Sequence, residues 1–257
     1  MRWLTAIALG LGLNLGPAWA QDVIVLGEVH DNPAHHTEQA ARVEALKPAA
    51  LVFEMLDTAQ AARVTPDLVS QPRAMAEALE WADSGWPDFS MYHPIFAAAP
   101  EAAVHGAALP RAAARKVLSE GVEDVFGPDA ARYGLTEPLG PKEQAAREAL
   151  QDAAHCGALP EEMLPQMVMI QRVRDAMLAR AALDAMAATG GPVAVITGNG
   201  HARKDWGMPA LLMRVAPELD LHVLGQTEDA RPLIGGFDEV LSAPAAPRDD
   251  PCAAFRQ

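Results

Sequence analysis

Aromatic side chains are scarce in this chain: only 5% of its 257 residues are Phe, Trp or Tyr. Cysteine is scarcer still, with Cys156 and Cys252 alone, which leaves too few thiols for a Cys-based metal site. Basic residues are outnumbered 20 to 34 by acidic ones, giving a formal charge of −14. A surface so acidic argues against nucleic acid or an anionic membrane as partner. Beyond the first 20 residues no apolar run reaches the ~20 residues that a spanning helix needs. Three motifs are also missing: a Cys-x-x-Cys-His haem attachment, a phosphate-binding Gly-rich loop and a Gly-x-Ser-x-Gly elbow. What remains is an apolar fraction of 50%, enough for one sizeable core.

The first 20 residues read as a signal peptide. Arg2 supplies the positive start, residues 4–15 an apolar run, and Ala18-Trp19-Ala20 a small-residue cleavage site. No cysteine follows the run, so a bacterial lipoprotein anchor is not expected. Export to the periplasm or beyond would permit a disulfide between Cys156 and Cys252, against the alternative of two free thiols.

Five short runs rich in Val, Ile, Leu and Ala fall at 22–26, 49–53, 102–105, 192–197 and 220–224. They do not alternate with polar residues, which suits strands covered on both faces of a parallel sheet. Helical patterns separate them, so the expected class is α/β: a parallel β-sheet flanked by helices. Asn32-Pro33 is a helix start, with Asn as cap and Pro at the first turn. Residues 57–100 are less regular. Residues 109–160 are Ala-rich, broken at Gly127-Pro128 and Gly140-Pro141, and read as a smaller helical lobe inserted over the sheet edge. A long helix is expected over 161–188, with Met163, Met167, Ile170, Met177 and Ala181 on one face. The tail after Ser242 is rich in Pro and Ala and reads as extended. The chain thus divides into residues 1–20 and an α/β domain over 21–257.

Each predicted strand runs into polar residues. The first leads to Gly27-Glu28-Val29-His30, the second to Glu54, the third to His105 and the fourth to Gly198-Asn199-Gly200-His201. Carboxyl ends of parallel strands share one edge, where ligands bind. Glu28, His30, Glu54, His105 and His201 are therefore expected to converge. Imidazole and carboxylate together suit Zn, Mn or Fe. They equally suit general acid–base work, or a structural hydrogen-bond network. His35 and His36, in the first turn of the first helix, are either surface residues or further ligands. Tyr92 and His93 lie in an aromatic segment that begins Gly85-Trp86-Pro87; a tyrosinate is a known axial ligand of ferric haem, and ordinary aromatic packing is the alternative.

These motifs resemble those of the ChaN-like iron-regulated proteins of the haem-binding uptake and Tiki superfamily. The resemblance rests on residues 27–36, Phe53-Glu54-Met55, Gly85-Trp86-Pro87 through Tyr92, His155-Cys156-Gly157, residues 171–175 and Gly198-Asn199-Gly200-His201-Ala202-Arg203. It implies haem binding in bacterial iron uptake, without turnover, by a protein that pairs with a second copy around haem. It also implies a tyrosine iron ligand, for which Tyr92 is preferred over Tyr133, with His93, His35 and His36 as further haem contacts. Relatives in the superfamily include metal-dependent proteases and erythromycin esterases. They imply a second expectation, a peptidase or esterase in which His30 and His201 hold a metal and Glu28 or Glu54 acts as base. A site network retained without activity is the third.

Overall fold

The computed structural model describes residues 21–253. The signal-peptide reading concerns residues outside that span. Six strands form one all-parallel sheet: β1 (Val23–Glu28), β2 (Ala50–Phe53), β3 (Ala103–Gly106), β4 (Val193–Gly198), β5 (Leu221–Glu228) and β6 (Glu239–Ala243), in the order β3-β2-β4-β1-β5-β6. All residues of β1, β2 and β4 are buried, which is why their sequences lack alternation. The first five strands fall where the apolar runs placed them. The sixth was not expected from the sequence; it lies mostly before the predicted extended tail. Its burial alternates along Glu239-Val240-Leu241-Ser242-Ala243, as for an edge strand with one face on the core.

The helices split between the two faces according to the direction of chain travel. From β1 the chain moves towards β3, through α1 (Pro33–Leu46), then through α2 (Thr58–Ala61), α3 (Pro66–Val69), α4 (Pro72–Ala78) and α5 (Phe89–Ala98). α1 and α5 pack together on the face that carries Ile24, Leu26, Leu51 and Phe53. From β3 it moves back, through α6 (Arg111–Glu120), α7 (Val122–Phe126), α8 (Pro141–Ala154) and α9 (Leu164–Thr189), and on from β4 through α10 (Met208–Val215). These return helices cover the opposite face, that of Val23, Val25, Val52 and Val195. Right-handed crossovers require this split. The segment over 57–100 that read as irregular holds four short helices, three of them capped by a side chain at the start, Asp57, Thr65 and Asp88.

β1 and β4 are neighbours, yet the loop after β1 leads to one face and the loop after β4 to the other. Adjacent strand ends whose loops part in this way leave a crevice between them. Glu28 and Gly198 are register partners at that point.

After β6 the tail runs back over the start of α1. Arg248 bonds Asp31 through two oxygens and also Glu228, and Asn32 Nδ2 donates to Glu228 and to the Pro244 carbonyl. The Arg248 guanidinium and the Asn32 amide hold the Glu228 carboxyl down at about 2. Four residues on, Cys252 forms a disulfide with Cys156 just after α8, as expected for an oxidised pair. The bond closes a loop of 96 residues, which by chain entropy stabilises the fold by about 3–5 kcal/mol. Reduction, or Cys156→Ser with Cys252→Ser, is therefore expected to lower the urea midpoint clearly. An unchanged midpoint would show that the reduced chain keeps the tail in place without the bond.

Candidate functional site

The crevice between β1 and β4 holds two histidine–carboxylate pairs that face each other. Glu28, buried at the end of β1, accepts from His30 Nδ1 at 2.7 Å. Asp175, buried on α9, accepts from His201 Nδ1 at 2.6 Å. In each pair the carboxylate fixes the proton on Nδ1 and leaves Nε2 to face the crevice. His201 Nε2 lies 3.6 Å from Glu54 Oε1. Glu54 in turn is held by the Thr197 hydroxyl at 2.6 Å and the Gly198 amide at 2.8 Å.

Two glycines let the backbones come this close. A Cβ at Gly198 would sit 2.6 Å from His30 Nε2. One at Gly27 would sit 2.6 Å from the Asn199 side chain and 2.9 Å from the Leu224 carbonyl. Asn199 needs that space because it bonds both the amide and the carbonyl of Gln226, fastening the loop after β4 to β5.

Burial disfavours the His201 imidazolium, but the facing carboxylates of Glu54 and Asp175 outweigh it and raise the group to about 9. Burial likewise opposes ionisation of Glu54, and the nearby His201 and His30 hold its carboxyl below the ordinary range. His30 is raised as well, burial being overcome by its hydrogen bond to Glu28 and the charge of Glu54.

Glu28, His30, Glu54 and His201 thus converge as the strand ends implied. His105 does not join them. It sits on the edge strand β3 opposite Val52, two residues short of the level of Glu54. Nor do the four form a shared ligand set: among the described residues no group of three or more His, Cys, Asp or Glu side chains is spaced to hold one metal ion. One oxygen of each carboxylate is committed, Glu28 Oε1 to His30 and Tyr92 and Glu54 Oε2 to Thr197 and Gly198, while Glu28 Oε2 is buried without a hydrogen bond.

The remaining expected contacts lie elsewhere. His35 and His36 are not on the surface; each is 1% exposed. His35 Nδ1 accepts from the Val29 amide and its Nε2 meets the Thr227 carbonyl. His36 Nε2 donates to the His30 carbonyl, and its ring packs on Tyr92. Both brace the loop after β1 from below. Tyr92 is fully buried and its hydroxyl donates to Glu28 at 3.0 Å. Burial and the Glu28 charge push its phenol well above the ordinary range, the opposite of what a tyrosinate ligand requires. His93 points to the Val69 carbonyl and packs on Phe89, among the short helices. Tyr133 packs edge-on against Phe126 and is also buried. In this structure the polar atoms of Tyr92, His93, His35 and His36 are engaged inside the fold, and none of the four lines the cleft between the strand ends and the helices α8 and α9.

Asp175 escaped sequence reasoning as a site residue, because a carboxylate inside a long helix carries no strand-end signal. The helical contour of α9 brings it under His201.

One wall of the crevice opens into a cleft of about 460 Å³ between the strand ends and the helices α8 and α9. Its polar side carries Glu28, His30, His201 and Asn199; its apolar side carries Leu150 and Ala154 of α8 and Val168 of α9. Leu150 is 45% exposed there. At the rim Trp206 lies beneath Arg203, whose guanidinium is 3.7 Å from the ring centroid, with Arg147 at 5.2 Å.

The fold and crevice define a class: parallel-sheet α/β proteins that carry paired histidines and carboxylates where strand order reverses. A family model described as haem-binding uptake, Tiki superfamily, ChaN matches residues 16–212, and the chain belongs to that family. Among solved structures, one titled for cofacial heme binding to ChaN of Campylobacter jejuni is similar at 20% identity. It covers 83% of this chain and 84% of its own, with a TM-score of 0.61, and shows the same fold. The type III effector HopBA1 is similar more distantly, at 16% identity over 88% of each chain with a TM-score of 0.46. No curated protein matches the chain.

His201 supplies a pH test. Its folded value of about 9 exceeds the ordinary 6.5, so the stability it contributes is fully present below pH 6.5 and is lost as pH rises through 9. Urea midpoints are expected to fall between pH 7 and 9.5, and to fall less in His201→Gln. A wild-type midpoint flat over that range would contradict a charged His201.

Proposed function

We propose that this protein binds haem as cargo in the cleft beside the β1–β4 crevice, and serves haem or iron uptake outside the cytoplasm. The observation that carries this reading is the cleft's division into an apolar wall and an imidazole wall. Leu150, Ala154 and Val168 offer a face for a flat apolar ring system, and His30 stands across from them. At about 460 Å³ the cleft lies within the usual range for small-molecule sites, roughly 300–1,000 Å³. The half-exposed Leu150 is a surface that a ligand would cover.

His30 is the imidazole suited to meet the iron. Its side chain is 34% exposed, its Nδ1 is occupied by Glu28, and its Nε2 lies beside Gly198 with no hydrogen bond among the described residues. A carboxylate behind the ring raises the basicity of the outer nitrogen. Arg147, on the rim of the same cleft, is placed to meet a propionate. Membership of the haem-binding uptake family supports the cargo. The disulfide and the leading apolar segment with its small-residue cleavage site support export. Among the described residues no helix is long and apolar enough to cross a membrane. The wide cleft mouth, with Leu150 at its edge, would allow a second copy to close over bound haem.

Hemin titration of the purified protein is expected to give a saturable Soret shift. His30→Ala should weaken it by roughly tenfold or more, the loss of one iron ligand. Ala154→Trp should block the cleft and abolish it. Tyr92→Phe should change hemin affinity little, since its hydroxyl faces Glu28. No shift at micromolar hemin, or a loss in Tyr92→Phe with none in His30→Ala, would overturn this site. Size-exclusion chromatography with and without hemin reads the pairing of copies.

A further inference from the structure

A second cleft lies on the far side of the crevice, separated from the first by His30, whose ring packs on Trp86 with centroids 4.8 Å apart. It measures about 360 Å³ and is enclosed by the Gly85-Trp86 loop, the segment after β3 and the helix α9. Its walls mix apolar side chains, chiefly Trp86 and Leu109, with the polar Glu54, Asp57 and Gln60. One charge in it is unanswered. Arg174 of α9 is half-buried and lines the cleft, yet among the described residues no carbonyl or carboxylate accepts from it.

The other buried or half-buried arginines show how unusual that is. Arg42 is held by Glu38 and Glu239, Arg147 by Glu143, and Arg203 by Asp205. Arg172 bonds the carbonyls of Gly134 and Glu137, and Arg180 that of Phe126. A guanidinium carries five donors in a fixed fork and is costly to desolvate without acceptors. Neither carboxylate in the cleft accepts from Arg174: Glu54 Oε2 is taken by Thr197 and Gly198, its Oε1 faces His201 at 3.6 Å, and Asp57 Oδ1 holds the Gln60 amide in its capping box. The exposed Arg111 at the rim adds a second positive charge.

We propose that this cleft is a separate binding site for a small organic carboxylate with an apolar, planar body. Arg174 anchors the carboxylate through its fork, and the Trp86 indole with Leu109 covers the body. Guanidinium and carboxylate match in bidentate geometry, and Glu54 and Asp57 in the same lining disfavour a polyanion. The site owes nothing to the haem cleft and stands or falls apart from it.

Benzoate is the probe, titrated calorimetrically into the intact oxidised protein. Saturable binding of one benzoate per chain is expected. Arg174→Gln should weaken it on the order of tenfold or more, as for loss of a charge-assisted bidentate contact. Ala108→Phe, which narrows the cleft without touching the arginine, should block it; if Arg174→Gln fails to fold, this variant decides. Prior saturation with hemin should leave benzoate binding intact, and Arg174→Gln should keep the wild-type Soret shift. No saturable heat at millimolar benzoate, or binding unchanged in both variants, would overturn the proposal. Displacement of benzoate by hemin would assign the arginine to a porphyrin propionate and also overturn it.

Discussion

The pairing of β1 with β4 is the constraint on which the rest of this structure depends. Hydrogen bonds between these strands set Glu28 beside Gly198. Their loops then leave towards opposite faces, because the chain reaches β2 by one crossover and β5 by another. Everything polar in the site is arranged around that parting. Glu54 arrives from β2 and accepts from Thr197 and Gly198 of β4, so the β2 end is fastened to the same point. Its charge, with that of Asp175, keeps His201 protonated. A buried carboxylate is stable here because backbone, hydroxyl and imidazolium all donate to it or face it.

Beneath this point the loop after β1 is built like a braced arch. His35, His36 and Tyr92 each spend a polar atom on it, through the Val29 amide, the His30 carbonyl and the Glu28 carboxylate. The helix α1 begins immediately after, with Asn32 as its cap. Arg248 reaches from the tail to Asp31 and Glu228 on the outer side. The same tail is joined by its disulfide to the chain just beyond α8, whose Leu150 and Ala154 form the apolar wall of the first cleft. Floor and wall of the cleft are thus connected through one segment, although they lie far apart in the chain.

Much of the fold was legible in the sequence. Buried parallel strands need continuous apolar runs, and the runs at 22–26, 49–53, 102–105, 192–197 and 220–224 each became a strand. β6 was missed because an edge strand half open to water need only alternate over five residues, a weak pattern beside Pro- and Gly-rich neighbours. The four short helices between β2 and β3 were missed as well; α2, α3 and α4 are too short for a helical period, and α5 carries Pro94 inside it. In the site, Glu28, His30, Glu54 and His201 were legible because strand ends announce themselves through glycine and polar residues. The inward placement of Tyr92, His93, His35 and His36 was not, since residue type alone does not say whether a phenol or imidazole points into a cleft or into the core.

The sequence by itself determined the α/β class, the order of the first five strands along the chain, the two cysteines available to pair, and the residues that would stand at the carboxyl edge of the sheet. These follow from local rules, namely apolar period, glycine and proline chemistry, and chain direction. Only the tertiary structure decided that Glu28 serves His30 and Tyr92 at once, that Asp175 of a distant helix stands behind His201, and that Tyr92 faces inward. It alone showed that one crevice has a cleft on each side, with His30 opening to the first and Arg174 left unanswered in the second. Those facts depend on which way side chains point when helices from opposite faces meet a sheet edge, and that orientation is set by packing between segments far apart in the chain.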